Sequence, residues 1–185
     1  MPGLELNKKQ KEILLDFAKK TIIGAVKNEN LPGFQNSDPV FSSQSGAFVT
    51  IHKKGALRGC IGNIVGRGPL WQTIRKMAVE AALHDPRFSP VGISELKDID
   101  IEISVLSPFE KITDLNMIEV GKHGLFIRNG FYQGLLLPQV ATEYNWSRNE
   151  FLEHTCMKAG LDRFCFREKN CEIFIFSATV FGEKE

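Results

Sequence analysis

The order of predicted secondary-structure elements occurs twice along this chain of 185 residues. In the first half, residues 46–63 are typical of a β-hairpin. A helical pattern then begins at Pro69 and ends before Pro86, because a proline ring cannot continue a helix. A half-buried strand follows, since apolar and polar residues alternate from Ile99 to Val105. The first half therefore predicts a hairpin, a helix and a strand in that order.

The second half repeats this order. Asn129-Gly130 is the dipeptide most typical of a tight hairpin turn, and it divides residues 124–137 into two strands. Pro138 begins another helical segment, and residues 172–181 form one final strand. We therefore predict an α+β fold with a single curved, mainly antiparallel sheet of about six strands. The sheet is expected to consist of two pseudo-repeated halves with helices packed outside, forming two lobes.

Two further helices complete the prediction. Residues 8–28 have the amphipathic spacing of a surface helix, and Ser147 with Glu150 forms a capping box at the start of another. Nothing between the two halves resembles a flexible linker. Residues 1–185 are therefore expected to form a single domain with two closely packed lobes.

The charge balance argues against several classes of protein. Twenty-three Lys and Arg residues against 22 Asp and Glu residues leave a net charge of +1, without the basic excess typical of nucleic-acid binding. No apolar run approaches the ~18 residues of a membrane span, and the N-terminal segment lacks the apolar region of a signal peptide. We therefore expect a cytoplasmic protein that binds neither nucleic acid nor membranes.

The four cysteines suggest neither a disulfide scaffold nor a metal site. No pair has C-x-x-C spacing, and a cytoplasmic compartment would keep the thiols reduced. His154 and Cys156 could join Cys165 and Cys171 in a zinc site, but side chains two residues apart on a helix point in different directions. We expect four reduced, metal-free cysteines and no cofactor.

The hexapeptide Leu57–Gly62 is the most unusual segment. Two glycines, Gly59 and Gly62, interrupt a predicted strand, which indicates a bulge or a close approach of another group. Period-two geometry places Arg58 and Cys60 on one face, where a guanidinium would favour the reactive thiolate. The alternative is a buried structural cysteine beside an arginine that points outward.

Two other segments could contribute to a site. The segment Asp85–Pro90 has a proline on each side of Arg87 and is stiff enough to direct that side chain, although the end of a helix alone explains Asp85-Pro86. Gln139 and Glu143 lie one turn apart at the helix start that Pro138 marks, where they could order a ligand or simply face solvent. The four histidines are scattered, and none receives a role.

Several ordered motifs resemble a known family. The chain is similar to the AMMECR-type domain, named for the Alport syndrome, mental retardation, midface hypoplasia and elliptocytosis chromosomal region. The resemblance covers about residues 10–182, with one departure where Phe166 replaces a common tryptophan. The matching blocks are Leu57–Gly62, Asp85–Phe88, Leu136–Ala141, Phe151–Leu152 and Cys156–Leu161.

This resemblance implies a prokaryotic-type stand-alone α+β domain with a strongly curved sheet, but it implies no known activity. Association of some relatives with Memo-type proteins and radical-SAM enzymes implies a role in a small-molecule or modification pathway, with such proteins as partners. It favours, by analogy, a functional site at Arg58 and Cys60.

Three function classes stay open. In an enzyme, Cys60 would be the nucleophile, with Arg58 and Glu143 as further catalytic residues. The substrate-binding residues would be Gly59, Gly62, Asp85, Arg87 and Gln139. All are expected to line one cleft. A binding module would use the same cleft, without reactive sulfur, to hold a small anionic ligand or nucleic acid, and an adaptor would bind a partner protein.

Overall fold

The fold is given by a computed structural model that describes residues 4–184. It divides into two compact units, one of residues 4–106 and 179–184 and the other of residues 107–178. Within the described residues, the helices are α1 (Lys8–Lys27), α2 (Leu70–Leu83), α3 (Pro138–Glu143) and α4 (Arg148–Lys158). The strands are β1 (Ala47–Lys53), β2 (Ala56–Asn63), β3 (Ile99–Leu106), β4 (Glu110–Ile112), β5 (Gly124–Asn129), β6 (Tyr132–Leu136), β7 (Glu172–Phe176) and β8 (Ala178–Gly182).

The first unit contains α1, α2 and a four-stranded sheet in the order β2-β1-β3-β8. One face of this sheet packs on the two helices, because residues of one parity along each strand are apolar. Fully buried members of this core include Leu14 and Ile22 of α1, Ile74 of α2, and Ile51 and Ile103 of the sheet. The residues of the other parity, Thr50 and Cys60 among them, therefore lie on the opposite face of the sheet.

The second unit has its own core. Its sheet has the order β4-β7-β5-β6 and packs on α3 and α4. Leu125 and Ile127 of β5 meet Phe151 and Leu152 of α4 in this core. Phenylalanines occupy the other face of the sheet, where the Phe109 and Phe126 rings stack with their centroids 5.1 Å apart.

The sheet orders confirm the predicted α+β class and the internal repeat. In both units the inner strand of a hairpin pairs with a later strand, giving β2-β1-β3 and β6-β5-β7. Both predicted hairpins are antiparallel pairs, with Ala47 opposite Asn63 and Leu125 opposite Leu136. The capping box of Ser147 with Glu150 is also present. The close packing of the two lobes in one domain stays a prediction.

The strand count and the single sheet are corrected. The described residues form eight strands in two sheets, not about six strands in one. The predicted strand at 172–181 is two strands, because β7 ends at Phe176 and pairs in the second unit's sheet, whereas β8 pairs in the first. An apolar run of residues does not indicate which strand it pairs with. Periodicity alone therefore could not predict the break between β7 and β8.

The expectation of four reduced cysteines is wrong. Cys156, near the end of α4, forms a disulfide with Cys165 nine residues later, and their Cα atoms lie 6.0 Å apart, within the normal range. Cys60 and Cys171 are free. The chain turns at Gly160, after α4, and so returns Cys165 to the helix that carries Cys156. The spacing of the cysteines in the sequence did not indicate this turn.

Alkylation in denaturant should count these thiols. Without reductant, we expect two labelled cysteines, Cys60 and Cys171, because the other two sulfurs are bonded to each other. After reduction, mass spectrometry should find four labels. Closing so short a loop should stabilise the folded chain by about 3 kcal/mol, so reduction should also lower the midpoint of thermal unfolding. Four labels without reductant would contradict the disulfide.

Candidate functional site

The hexapeptide forms a bulged part of β2. Thr50 lies opposite Cys60 and Ile51 opposite Gly59, but His52 lies opposite Leu57. Arg58 therefore has no partner residue on β1, as the two glycines indicated. A bulge interrupts the alternation of side chains along a strand. The alternation therefore no longer predicts that Arg58 lies on the same face as Cys60.

The two glycines are explained by packing within the protein. A Cβ atom at Gly59 would lie 2.2 Å from the carbonyl oxygen of Ala81, at the end of α2. A Cβ atom at Gly62 would lie 2.2 Å from the Phe48 ring. Gly59 and Gly62, which were predicted to leave room for a substrate, instead let the helix and the ring approach the strand.

Arg58 holds a loop rather than the thiol. Its Nε and Nη2 donate to the Glu95 carboxylate over 3.1 and 3.0 Å, and its Nη1 donates to the Ser89 carbonyl over 2.9 Å. The side chain is only 13% exposed. Arg58 and a main-chain bond from Gly92 hold the pKa of Glu95 far below its usual range. The role of Arg58 as activator of Cys60 is therefore corrected to that of a positioning residue, which charge complementarity with Glu95 fixes.

Asp85 fixes the main chain of Cys60. The Cys60 N–H donates to Asp85 Oδ2 over 2.8 Å, and the Asp85 side chain is only 2% exposed. Arg87 donates to both carboxylate oxygens, from Nε over 3.0 Å and from Nη2 over 2.7 Å. These bonds hold the pKa of Asp85 far below its usual range, against the opposing effect of burial.

Arg87 completes this arrangement. Its Nη2 also donates to the Cys60 carbonyl over 3.0 Å, while 53% of its side chain remains exposed. Hydrogen bonding to Asp85 raises the pKa of Arg87, and the neighbouring Cys60 thiol adds to the shift. Arg87, not Arg58, is thus the guanidinium next to the thiol.

The position of the thiol follows from these bonds. Because the N–H and C=O of Cys60 both bond to the Asp85–Arg87 pair at the sheet edge, Cys60 and Thr50 form a non-hydrogen-bonded pair, whose side chains lie closest. Thr50 Oγ1 accordingly donates to Cys60 Sγ over 3.2 Å. Cys60 is half-buried, and it lies on the face of the sheet opposite α1 and α2, where the neighbouring Thr50 is buried.

Three more polar residues share this face and were not predicted as site residues. His52 follows Thr50 by two positions, so it lies on the same face as Thr50 and Cys60, diagonally from Cys60 and next to the register shift. Glu102 lies opposite Thr50, and Asp100 lies opposite His52. Among residues 4–184, no hydrogen-bond partner is found for the His52 ring. The pairing of the first hairpin could have placed His52 here, because it fixes Thr50 opposite Cys60.

Gln139 and Glu143 belong to the second unit. Both lie on α3, a helix of six residues, with Gln139 half-buried and Glu143 exposed. Asp85, Arg87 and Cys60 meet in the first unit, as predicted. That Gln139 and Glu143 line the same cleft stays a prediction.

No metal cluster is found within the described part of the chain, where no three His, Cys, Asp or Glu side chains gather suitably. His154 stacks on Trp146 with ring centroids 3.9 Å apart. None of the helices described is both long and apolar enough to cross a membrane.

The fold and this site define a class: α+β proteins with two similarly ordered sheets and a cysteine whose strand is fixed by a buried aspartate paired with a half-exposed arginine. A model of the AMMECR1 family matches residues 15–181, and the chain belongs to that family.

Two relatives and one solved structure are similar to this protein over nearly the whole chain. A protein of Methanosarcina acetivorans is 41% identical over 97% of this chain and 94% of its own length. One from Methanosarcina barkeri is 46% identical, over 91% of this chain and 88% of its own. The crystal structure of an uncharacterized protein from Pyrococcus horikoshii is similar with a TM-score of 0.90 and 35% identity, covering 97% of this chain and 94% of that one.

Proposed function

We propose that the protein is a thiol-dependent enzyme that transfers or hydrolyses acyl groups, with Cys60 as the nucleophile. One observation carries the proposal: the Asp85–Arg87 pair bonds both main-chain groups of Cys60 while its thiol stays half-exposed beside Thr50. The buried carboxylate pairs the outward N–H of the edge strand and at the same time holds the main chain of Cys60 in one position. Fixed nucleophiles of this kind favour catalysis because they lose little freedom in the transition state.

The chemistry requires a proton acceptor and an attack on a carbonyl group. Cys60 gives its proton to a base, and its sulfur attacks the carbonyl carbon of an ester, thioester or amide. The C–S bond forms as the bond to the leaving group breaks, and the leaving group takes up the proton. Water or another acceptor then releases the acyl group from Cys60.

His52 is the residue we assign as this base. The ring lies on the face of Cys60, a change of rotamer would turn it toward the thiol, and no residue among those described holds it elsewhere. Asp100, opposite His52, can orient the ring, although its carboxylate also pairs with Lys184.

Arg87 would select the substrate. Its Nε and Nη2 are bonded, but Nη1 has no hydrogen bond to any residue between 4 and 184 and its side chain is half-exposed. It can therefore hold a carboxylate or phosphate of the substrate, or the oxyanion that forms during attack.

Thiol reactivity tests the proposal. With iodoacetamide at neutral pH, Cys60 should react at least about tenfold faster than Cys171, because burial raises the pKa of the Cys171 thiol. Arg87→Gln should slow the Cys60 reaction several-fold. Arg128→Gln, which removes a paired arginine of similar exposure in the second unit, should not. Equal Cys60 rates in the wild type and in Arg87→Gln would contradict activation of the thiol by Arg87.

Turnover of aryl esters and thioesters gives the second test. We expect peptide mapping to find the acyl group on Cys60, and Cys60→Ser to lower turnover at least about 100-fold. His52→Gln should slow acylation at least about tenfold while leaving the protein folded, since the ring makes no hydrogen bond within the described chain. Turnover that survives in Cys60→Ser would exclude Cys60 as the nucleophile and favour a binding module.

A further inference from the structure

A cavity of about 440 Å³ lies along α2 in the first unit, apart from the Cys60 site. The loop between β2 and α2 forms one side, and the exposed face of α2 forms its floor. Its volume is in the range of pockets for small molecules. Leu31 and Val79 provide an apolar wall, and most of the remaining lining is polar.

The lining of this cavity has an excess of positive charge, with three cationic residues and one carboxylate. Arg67, Arg75 and Lys76 line it, and no acidic residue among those described pairs with them. The one carboxylate in the lining, Glu80, lies 3.2 Å from the ring nitrogen of His84. A chain with a net charge of only +1 thus gathers three unpaired cations in one place.

Arg75 is held ready for an anion. Its guanidinium carbon lies 5.0 Å from the centre of the Trp71 ring. A guanidinium placed against an aromatic ring keeps its N–H groups available for a planar fork of hydrogen bonds. Stacking on Trp71 therefore limits the freedom of Arg75 without using the donors that a phosphate would need.

Thr73 points to a ligand independently of the charges. It lines the cavity and is only 6% exposed, yet its hydroxyl has no partner among the residues described. A buried threonine within a helix can satisfy its hydroxyl by donating to the carbonyl four residues earlier. Thr21 and Thr155 of this chain do so, over 2.8 and 2.7 Å. Thr73 does not, so its hydroxyl is left without a partner in the described chain and open to the cavity, while the rest of the residue is buried.

We propose that this cavity binds a small organic phosphate, a phosphomonoester. Arg67, Arg75 and Lys76 would contact the phosphate, and Thr73 would donate a hydrogen bond to it. Three cations and a hydroxyl suit a dianion better than a single carboxylate. The organic part would lie against Leu31 and Val79, which a bare anion would leave uncovered.

Calorimetric titration with AMP, ribose 5-phosphate and inorganic phosphate tests this site. At physiological salt, we expect saturable binding of at least one of the two esters, several-fold tighter than that of inorganic phosphate. The double variant Arg75→Gln, Lys76→Gln should weaken ester binding at least about tenfold, because it removes two charge-assisted contacts. Thr73→Val, which keeps the shape of the side chain, should weaken it several-fold.

Two controls keep the result clear. Lys8→Gln, Lys9→Gln removes the same charge from exposed positions of α1 and should not change binding. If the double variant fails to fold, Arg67→Gln alone replaces it, since this exposed loop side chain has no partner in the described chain. No saturable binding of either ester, equal affinity for inorganic phosphate, or equal weakening by the control would overturn the proposal.

Discussion

Replacing Asp85 with asparagine is expected to lower the free energy of unfolding by about 3 kcal/mol. The Asp85 carboxylate is almost completely buried and accepts bonds from the Cys60 N–H and from Arg87. Removing one member of a buried ion pair typically costs about 3–5 kcal/mol. The lower end applies because Arg87 is half-exposed, so water can solvate it once the carboxylate is gone.

The loss of unfolding free energy in Asp85→Asn should become smaller as the pH falls. The folded-state pKa of Asp85 lies below its unfolded value, so ionised Asp85 stabilises the folded protein at neutral pH. This contribution is lost as pH falls from about 5, because the unfolded chain then takes up the proton more readily. The difference between wild type and Asp85→Asn should therefore be constant above about pH 5 and shrink toward pH 3.

Urea unfolding at several pH values measures both effects. Asp16→Asn is the matched control, because Asp16 pairs with Lys20 on the exposed surface of α1, where such pairs contribute about 0.5 kcal/mol or less. Glu95 has a similarly lowered pKa through Arg58, so wild type and Asp85→Asn should both still lose stability in acid. A difference for Asp85→Asn that did not change between pH 7 and pH 3 would contradict the ion-pair explanation.

Local patterns predicted most of the elements. The hairpins at 46–63 and 124–137 follow from alternation and turn residues, and Ser147 with Glu150 begins α4 as expected. Each of these signals acts over a few residues, so nearby sequence contains it. The separation into two sheets depends on which distant strands pair. No local pattern contains that information, as the break between β7 and β8 shows.

The candidate site, too, could be predicted from the sequence only in part. Cys60, Asp85 and Arg87 could be selected because glycines and prolines made their segments unusual, and the structure brings them together. The sequence pattern predicted the wrong partner for Arg58. Its actual partner, Glu95, lies 37 residues away in sequence, and no local pattern indicates that the two side chains meet. A bulge then altered the alternation on which the pairing of Arg58 with Cys60 depended.

Gly59→Ala should cause the other large effect, a loss of at least about 3 kcal/mol. The new Cβ would lie 2.2 Å from the Ala81 carbonyl oxygen, a main-chain atom near the end of α2 that cannot move by a rotamer change. Forcing extra atoms into packed structure costs about 1–3 kcal/mol and more where backbone must shift. The displacement would also move Cys60, so its alkylation by iodoacetamide should change.

Gly33→Ala is the matched control for Gly59→Ala. No heavy atom lies within 4 Å of a Cβ built at Gly33, and its backbone is outside the left-handed region. This change should be neutral or should stabilise by up to about 1 kcal/mol, because alanine restricts the unfolded chain. Urea unfolding of both variants separates close packing at Gly59 from the general effect of replacing glycine. If Gly59→Ala were as stable as Gly33→Ala, β2 could not approach α2 as closely as described, and the glycine at 59 would again be free to make room for a ligand.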